Sequence, residues 1–208
     1  MSAAAEHQLI VIAGSIGVGK TSLATMMREH FGIPAWIEHA DRNPHLGGLY
    51  EDPARWAYPA HEVFLEHALQ RQREAGRAGG PAVVDRSPHE TVLVFARMLN
   101  DMGYISPAQV SCLHERLDSA SGELVQPSLL IYLHAPVDEL LRRVRQRDWR
   151  EERVMTADYL SALEAAYARF AREWTQTPLL DVDTAATDLR VVDNVERLLA
   201  LAGVDPRS

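Results

Sequence analysis

Residues 14–21 read Gly14-Ser15-Ile16-Gly17-Val18-Gly19-Lys20-Thr21, a complete G-x-x-x-x-G-K-[ST] pattern. An apolar run, Leu9-Ile10-Val11-Ile12-Ala13, precedes it, and a helix-compatible stretch from Ser22 to Phe31 follows. Strand, glycine-rich loop and helix together make an anion cradle. The glycines let successive backbone N–H groups turn inward around a phosphate, and the helix N-terminus adds its partial positive charge. Gly14, Ser15, Gly17, Val18 and Gly19 are then expected to wrap the phosphates. Lys20 is expected to reach the outer ones, and the Thr21 hydroxyl to hold Mg²⁺. The ligand this implies is a nucleoside triphosphate with its Mg²⁺. The alternative is a glycine-rich turn that binds nothing.

A chain of 208 residues is long enough to bury one full core. Its net charge of −8, from 21 basic and 29 acidic side chains, argues against a nucleic-acid binder held by phosphate neutralisation. Cys112 is the only cysteine, so no intrachain disulfide forms and nothing points to an oxidising compartment. No apolar run approaches the length of a membrane span, and Met1–His7 lacks the features of a secretion signal. The expected location is the cytoplasm.

Short apolar runs alternate with longer amphipathic ones, as in a parallel sheet covered by helices. The spacing predicts strands over 8–13, 35–39, 82–85, 129–134 and 179–183. It predicts helices over 19–31, 53–75, 88–101, 107–121, 136–147, 157–174 and 189–202. Four of these have proline near the first turn, at Pro53, Pro88, Pro107 and Pro136, where its missing N–H costs least. The expected fold is α/β, a five-stranded parallel sheet flanked by helices, in a single domain over residues 1–208.

Ligands in such sheets collect at the carboxyl ends of the strands, which selects four polar strand ends. Besides the phosphate loop and the segment after Asp183, these are Glu38 and the tripeptide Asp85-Arg86-Ser87. A carboxylate at Glu38 would orient or deprotonate an acceptor hydroxyl beside the γ-phosphate; the alternative is an exposed strand-end glutamate. Asp85 is suited to hold Mg²⁺ or its water shell, and Arg86 offers a forked donor for phosphoryl oxygens or a carboxylate. A structural ion pair is the competing explanation for these two. The densest cationic stretch runs from Arg142 through Arg147 to Arg150, with Arg143 and Arg147 four apart on one helix face. Such a flap would neutralise the charge of phosphoryl transfer, unless it is only a solvated helix end. His61-Glu62 with His67 departs from H-E-x-x-H by two positions, so zinc is not expected. Trp56 and Trp174 read as packing residues, and Tyr50 as a loop phenol able to bond a sugar hydroxyl.

Taken in order, these landmarks resemble the deoxynucleoside kinase family, which includes deoxyguanosine, deoxyadenosine, deoxycytidine and insect multisubstrate kinases. The resemblance runs from the first strand to Asp183. Its most specific parts are Tyr50-Glu51-Asp52-Pro53-Ala54-Arg55-Trp56-Ala57 and Asp85-Arg86-Ser87. It implies a P-loop kinase with an arginine-rich lid at about 146–154, transferring phosphate from ATP to the 5′-hydroxyl of a nucleoside. It implies that Glu38 is the base, that Arg86 bridges this carboxylate and the phosphoryl group, and that Asp85 assists Mg²⁺. Tyr50 and Glu152 would bond the sugar 3′-hydroxyl, and Arg143 and Arg147 would serve as lid arginines. A homodimer through the helices around 88–121 is implied in the same way. Two departures matter. Trp149 stands where the family often has a further arginine, and His61 falls on the position of its base-reading glutamine. That second change leaves open a modified base, or a nucleoside-like metabolite as acceptor. An ATP-sensing module without transfer is the reading from another class.

Overall fold

In the computed structural model, which describes residues 8–147, 155–201 and 203–204, the long apolar run becomes the centre of the molecule. Strand β1 (Leu9–Gly14) is buried along its whole length, as befits a strand covered on both faces. It pairs in parallel with β3 (Ala82–Asp85) on one side and β4 (Leu129–His134) on the other. The edges are β2 (Ala35–Trp36) and β5 (Leu179–Asp183), giving the order β2-β3-β1-β4-β5 with every pair parallel.

Side-chain alternation along β1 assigns the two helical layers. Ile10 and Ile12 face a core shared with α1 (Lys20–Phe31), α7 (Val137–Arg147) and α9 (Val192–Leu201). Val11 and Ala13 face the opposite core, built from α3 (Pro53–Ala75), α6 (Pro107–Ser121) and α8 (Ala157–Glu173). This is the period of two expected of a pleated strand. Trp174 packs with Phe170 at a ring-centroid distance of 5.2 Å, inside the second core. No helix among the described residues is long and apolar enough to cross a membrane.

Three stretches differ from the sequence expectation. Strand β2 ends at Trp36 rather than His39; it is an edge strand with only β3 to pair with, and Glu38 follows two residues past its end. Residues 46–51 form a short helix, α2 (Leu46–Glu51), so Tyr50 lies on a helix and not in a loop. Buried Asn43 organises that turn: its amide donates to the Ala60 carbonyl, and its side-chain oxygen accepts from the His45 N–H. Gly48 lets the Trp56 indole approach, since a Cβ there would lie 2.7 Å from the ring. The helix expected over 88–101 is one rod in three parts: α4 (Pro88–Glu90), a π-helical stretch Thr91–Ala96, and α5 (Arg97–Asp101). Such π segments recur at functional sites, and this one forms a cavity wall.

The phosphate loop is fixed by backbone approach. Gly14 has φ 142°, and a Cβ there would sit 2.2 Å from the Leu133 carbonyl oxygen of β4. Gly14→Ala is therefore expected to destabilise the fold by about 3 kcal/mol, a Tm loss of roughly 6–12 °C. Gly79→Ala, at φ 73° with open space around it, carries backbone strain without the collision and is expected to cost about 1 kcal/mol. Thermal denaturation of the two variants checks the difference; equal losses would remove the role assigned to the β1–β4 approach.

Candidate active site

The loop between β1 and α1 turns on glycines. Gly14, Gly17 and Gly19 all have positive φ, at 142°, 81° and 108°, so the backbone takes conformations closed to most other residues. Val18 is buried beneath the loop and Ser15 is buried within it. Lys20 folds over the loop, its Nζ donating to the Gly14 and Ser15 carbonyls at 2.9 Å each. Burial lowers the Lys20 pKa to about 8, with nearby Arg86 acting in the same direction. The Thr21 hydroxyl donates to Asp85 Oδ2 at 2.6 Å, while Asp85 Oδ1 is buried without a partner. Burial also raises the Asp85 carboxyl above its usual range.

Across from the loop, Glu38 and Arg86 form an ion pair of 2.9 Å with both side chains only 11% exposed. Burial pushes the Glu38 pKa upward, but Arg86, Arg71 and Lys20 outweigh it and hold the carboxyl below its ordinary value. Glu38 is therefore a carboxylate at neutral pH. Arg86 has φ 66°, the one non-glycine residue with positive φ among those described. Its N–H donates to the Ile12 carbonyl at 3.1 Å, and its guanidinium lies 4.6 Å from the Phe95 ring centroid. Backbone strain, a strand-end hydrogen bond and a cation–π contact fix this side chain toward Glu38.

Two participants escaped the sequence reading. Arg71, mid-helix in α3, brings Nη2 to 3.9 Å from Glu38 Oε1. Glu90 is wholly buried. Its carboxylate accepts from the Ser87 N–H at 2.8 Å, the Ser87 hydroxyl at 3.2 Å, the Gly14 N–H at 3.4 Å and the Tyr167 hydroxyl at 2.9 Å. Burial raises the Glu90 pKa, opposed by Arg86 and these donors. One carboxylate thus ties the start of the phosphate loop, the Asp85-Arg86-Ser87 turn and α8 together. The Ser87-Pro88-His89-Glu90 spacing is a capping-box signature, and that signal was available in the sequence.

A cavity of about 480 Å³ joins these groups. Lys20, Thr21 and Asp85 line it on the phosphate side, with Glu38 and Arg86 facing them. Tyr50, His61, Thr91, Phe95 and Tyr159 also contribute to its wall. His61 is buried, with Nδ1 2.7 Å from the Ala57 carbonyl, and burial lowers its pKa to about 4. A second cavity, of about 490 Å³, lies between the phosphate loop, α7 and residues 184–190, and Arg147 lines both. Arg143 lines the second. It is held there by Glu139 at 2.7 Å, the Thr184 hydroxyl and carbonyl at 2.9 and 2.8 Å, and the Val18 carbonyl at 3.3 Å. Glu152 and most of the expected lid, residues 148–154, lie outside the described residues.

The deoxynucleoside kinase family profile matches residues 10–200. Deoxyadenosine/deoxycytidine kinase of Bacillus subtilis is 27% identical over 186 residues, which cover 88% of this chain and 86% of that one. Deoxyadenosine kinase of Lactobacillus acidophilus is 31% identical over 172 residues, covering 80% and 79% of the two chains. The solved structure of deoxyadenosine kinase from M. mycoides with bound dATP superposes with a TM-score of 0.81. It is 18% identical, and the match covers 94% of this chain and 100% of that one. With the phosphate loop, the strand-end tripeptide and the five-stranded parallel sheet in agreement, the chain belongs to the deoxynucleoside kinase family.

Proposed function

We propose that this chain transfers the γ-phosphoryl group of ATP to the 5′-hydroxyl of a deoxynucleoside. The observation that carries the proposal is the shared cavity, lined on one side by the phosphate loop with Lys20 and on the other by Glu38 and Arg86. The space between is polar at the phosphate end and aromatic beyond it, matching a hydroxylated sugar that carries a base.

The role of each residue follows from its surroundings. Backbone N–H groups of the loop and the Lys20 ammonium grip the β- and γ-phosphates. Thr21 and Asp85 suit Mg²⁺: a hydroxyl and a carboxylate lie side by side, with one carboxylate oxygen buried and unpaired. No cluster of three or more His, Cys, Asp or Glu side chains among the described residues is placed to hold an ion unaided, so phosphate oxygens would complete its shell. Bound Mg²⁺ supplies charge neutralisation for the transferring group. Glu38 receives the 5′-hydroxyl and aims its oxygen at the γ-phosphorus. Arg86 holds Glu38 in place and offers its remaining N–H groups to the phosphoryl oxygens. Tyr50 bonds the sugar 3′-hydroxyl, together with Glu152, and His61 meets the base. The adenosine part of ATP occupies the second cavity beside Arg143 and Arg147. We take the active species to be a cytoplasmic homodimer of single-domain chains, on the strength of the family alone.

Purified protein with ATP and Mg²⁺ is expected to release ADP only when a nucleoside is present, and to yield the 5′-monophosphate. ATP binding without turnover of any natural nucleoside would overturn the proposal. Glu38→Gln is expected to lower kcat by about 10²–10⁴-fold while leaving ATP affinity within about threefold. Unchanged kcat would remove Glu38 from the mechanism.

Lys20 makes ATP binding pH-dependent. Its pKa in the free protein, lowered to about 8, means that the ammonium is lost as pH rises through that value. Phosphate binding needs the charged form. ATP affinity, measured by titration calorimetry, is therefore expected to fall roughly tenfold between pH 8 and pH 9.5. Lys20→Ala binds more weakly at pH 7 and shows a flat profile over that interval. A flat profile in the unaltered protein would contradict the assignment.

A further inference from the structure

The Arg71 side chain is only 12% exposed, yet among the described residues neither cavity wall includes it. Its place is set by how α3 docks. Ala68, Gln72 and Ala75 are buried at helical spacing. Ala75 packs on Leu9, Ala82 and Val84 of β1 and β3, and the Gln72 amide donates to the Val125 carbonyl at 2.9 Å. Arg71 falls between Ala68 and Ala75 on that face, so it reaches Glu38 without reaching the cavity. The two oxygens of Glu38 are divided between two guanidiniums. Oε2 lies 2.9 Å from Arg86 Nη1, and Oε1 lies 3.9 Å from Arg71 Nη2.

The same Nη2 donates to the Arg86 carbonyl at 3.5 Å, at the residue whose φ is 66°. One side chain thus touches the carboxylate and the strained turn that presents its partner. Arg71 Nε is buried without a partner, a cost that an apolar side chain filling this space would avoid. The charged and titratable groups facing Glu38 are Arg86 and Asp85 at the end of β3, Lys20 from α1, Arg71 and His61 from α3, and Tyr167 from α8. Arg86, Arg71 and Lys20 all lower its pKa. Lys20 and Arg86 line the cavity, where a phosphate would compete for them. Arg71 does not, and a guanidinium keeps its charge even when buried.

We propose that Arg71 is a positioning residue for phosphoryl transfer, holding the Glu38 carboxylate charged and oriented while Arg86 turns to the transferring group. Arg86 has two claimants in the reaction, Glu38 and the phosphoryl oxygens. Burial acting alone on Glu38 would favour its neutral form, and a protonated carboxyl cannot receive the proton of the acceptor hydroxyl. Arg71 answers to Glu38 only, so the approach of phosphate leaves that contact intact. This inference rests on the nucleoside kinase reading above. Arg71 itself touches neither substrate nor the reacting atoms; it acts through Glu38.

Steady-state kinetics at saturating ATP and deoxynucleoside, followed against pH, test it. Without Arg71 the Glu38 pKa rises, so activity is lost earlier as pH falls and returns as pH rises. Arg71→Met is therefore expected to move the acid limb of kcat upward by about one pH unit or more. On that limb kcat falls by about tenfold, while the deoxynucleoside KM and the ATP affinity stay within about threefold. Arg71→Lys keeps the charge and is expected to leave the limb within about 0.3 pH unit of its original place. The proposal is overturned if folded Arg71→Met keeps the original profile, if its loss of kcat is equal at every pH, or if Arg71→Lys moves the limb as far. Should Arg71→Met fail to fold, the unaltered protein decides. With both substrates bound, its acid limb is expected below about pH 5.5; a limb above that value would show Glu38 left uncompensated once phosphate engages Arg86. Any of these contrary patterns leaves the kinase assignment standing, whereas no turnover by the unaltered protein would remove both.

Discussion

Six buried or nearly buried charges at the carboxyl end of the sheet hold the site together. Glu38, Asp85 and Glu90 face Lys20, Arg71 and Arg86, three carboxylates against three cations. Removing one member would leave its partner charged and poorly solvated, at a cost of about 3–5 kcal/mol for a broken buried pair. The effects on ionisation differ along the cluster. Glu38, flanked by two guanidiniums, is held below its usual pKa, while Asp85 and Glu90 are pushed above theirs because burial outweighs their partners. The arrangement thus keeps its charge where an acceptor hydroxyl would arrive.

Sheet order explains how residues so far apart in sequence meet. With β1 flanked by β3 and β4, the chain leaves β1 toward one face and leaves β3 toward the other, opening a crevice at the strand ends. The phosphate loop fills one side of that crevice, and the Asp85-Arg86-Ser87 turn fills the other. Glu90 bridges them through Gly14 and Ser87. Tyr167 extends the bridge to α8, the helix that follows residues 148–154. A change of position in α8 would therefore be felt at the mouth of the phosphate loop.

Much of this was legible in the chain itself. β1, β3, β4 and β5 are short apolar runs with polar ends, and the glycine spacing announces the loop between β1 and α1. The fold and the residues Lys20, Thr21, Glu38, Asp85 and Arg86 follow from those local patterns. Arg71 was hidden because Gln70-Arg71-Gln72-Arg73 resembles any solvated helical turn; which of the four faces Glu38 depends on how α3 lies across the sheet. β2 was overextended because Ile37 continues the apolar run, while the edge position that ends its pairing is a tertiary fact. The π-helical stretch was unreadable for a similar reason. Thr91-Val92-Leu93-Val94-Phe95-Ala96 has no helix breaker, and its wider turns coincide with the Arg86–Phe95 contact made across the cavity wall.

A carboxylate held below its ordinary pKa is a weak base, which bears on the role proposed for Glu38 in phosphoryl transfer. In a loose transition state the attacking oxygen forms little bond to phosphorus until late, so its proton need not leave early. What matters first is direction: a hydroxyl donating to Glu38 points its lone pairs away from that carboxylate and toward the phosphate loop. In the proposed reaction Arg86 would serve both ends of this arrangement, since it fixes Glu38 at 2.9 Å and could turn its other N–H groups toward charge gathering on the phosphoryl oxygens. In the proposed reaction, negative charge arriving beside Arg86 would weaken its hold on Glu38 and make the carboxylate more basic as the hydroxyl proton is taken. On that proposal, the ion pair that lowers the Glu38 pKa in the free protein would delay proton transfer until the phosphate is in place.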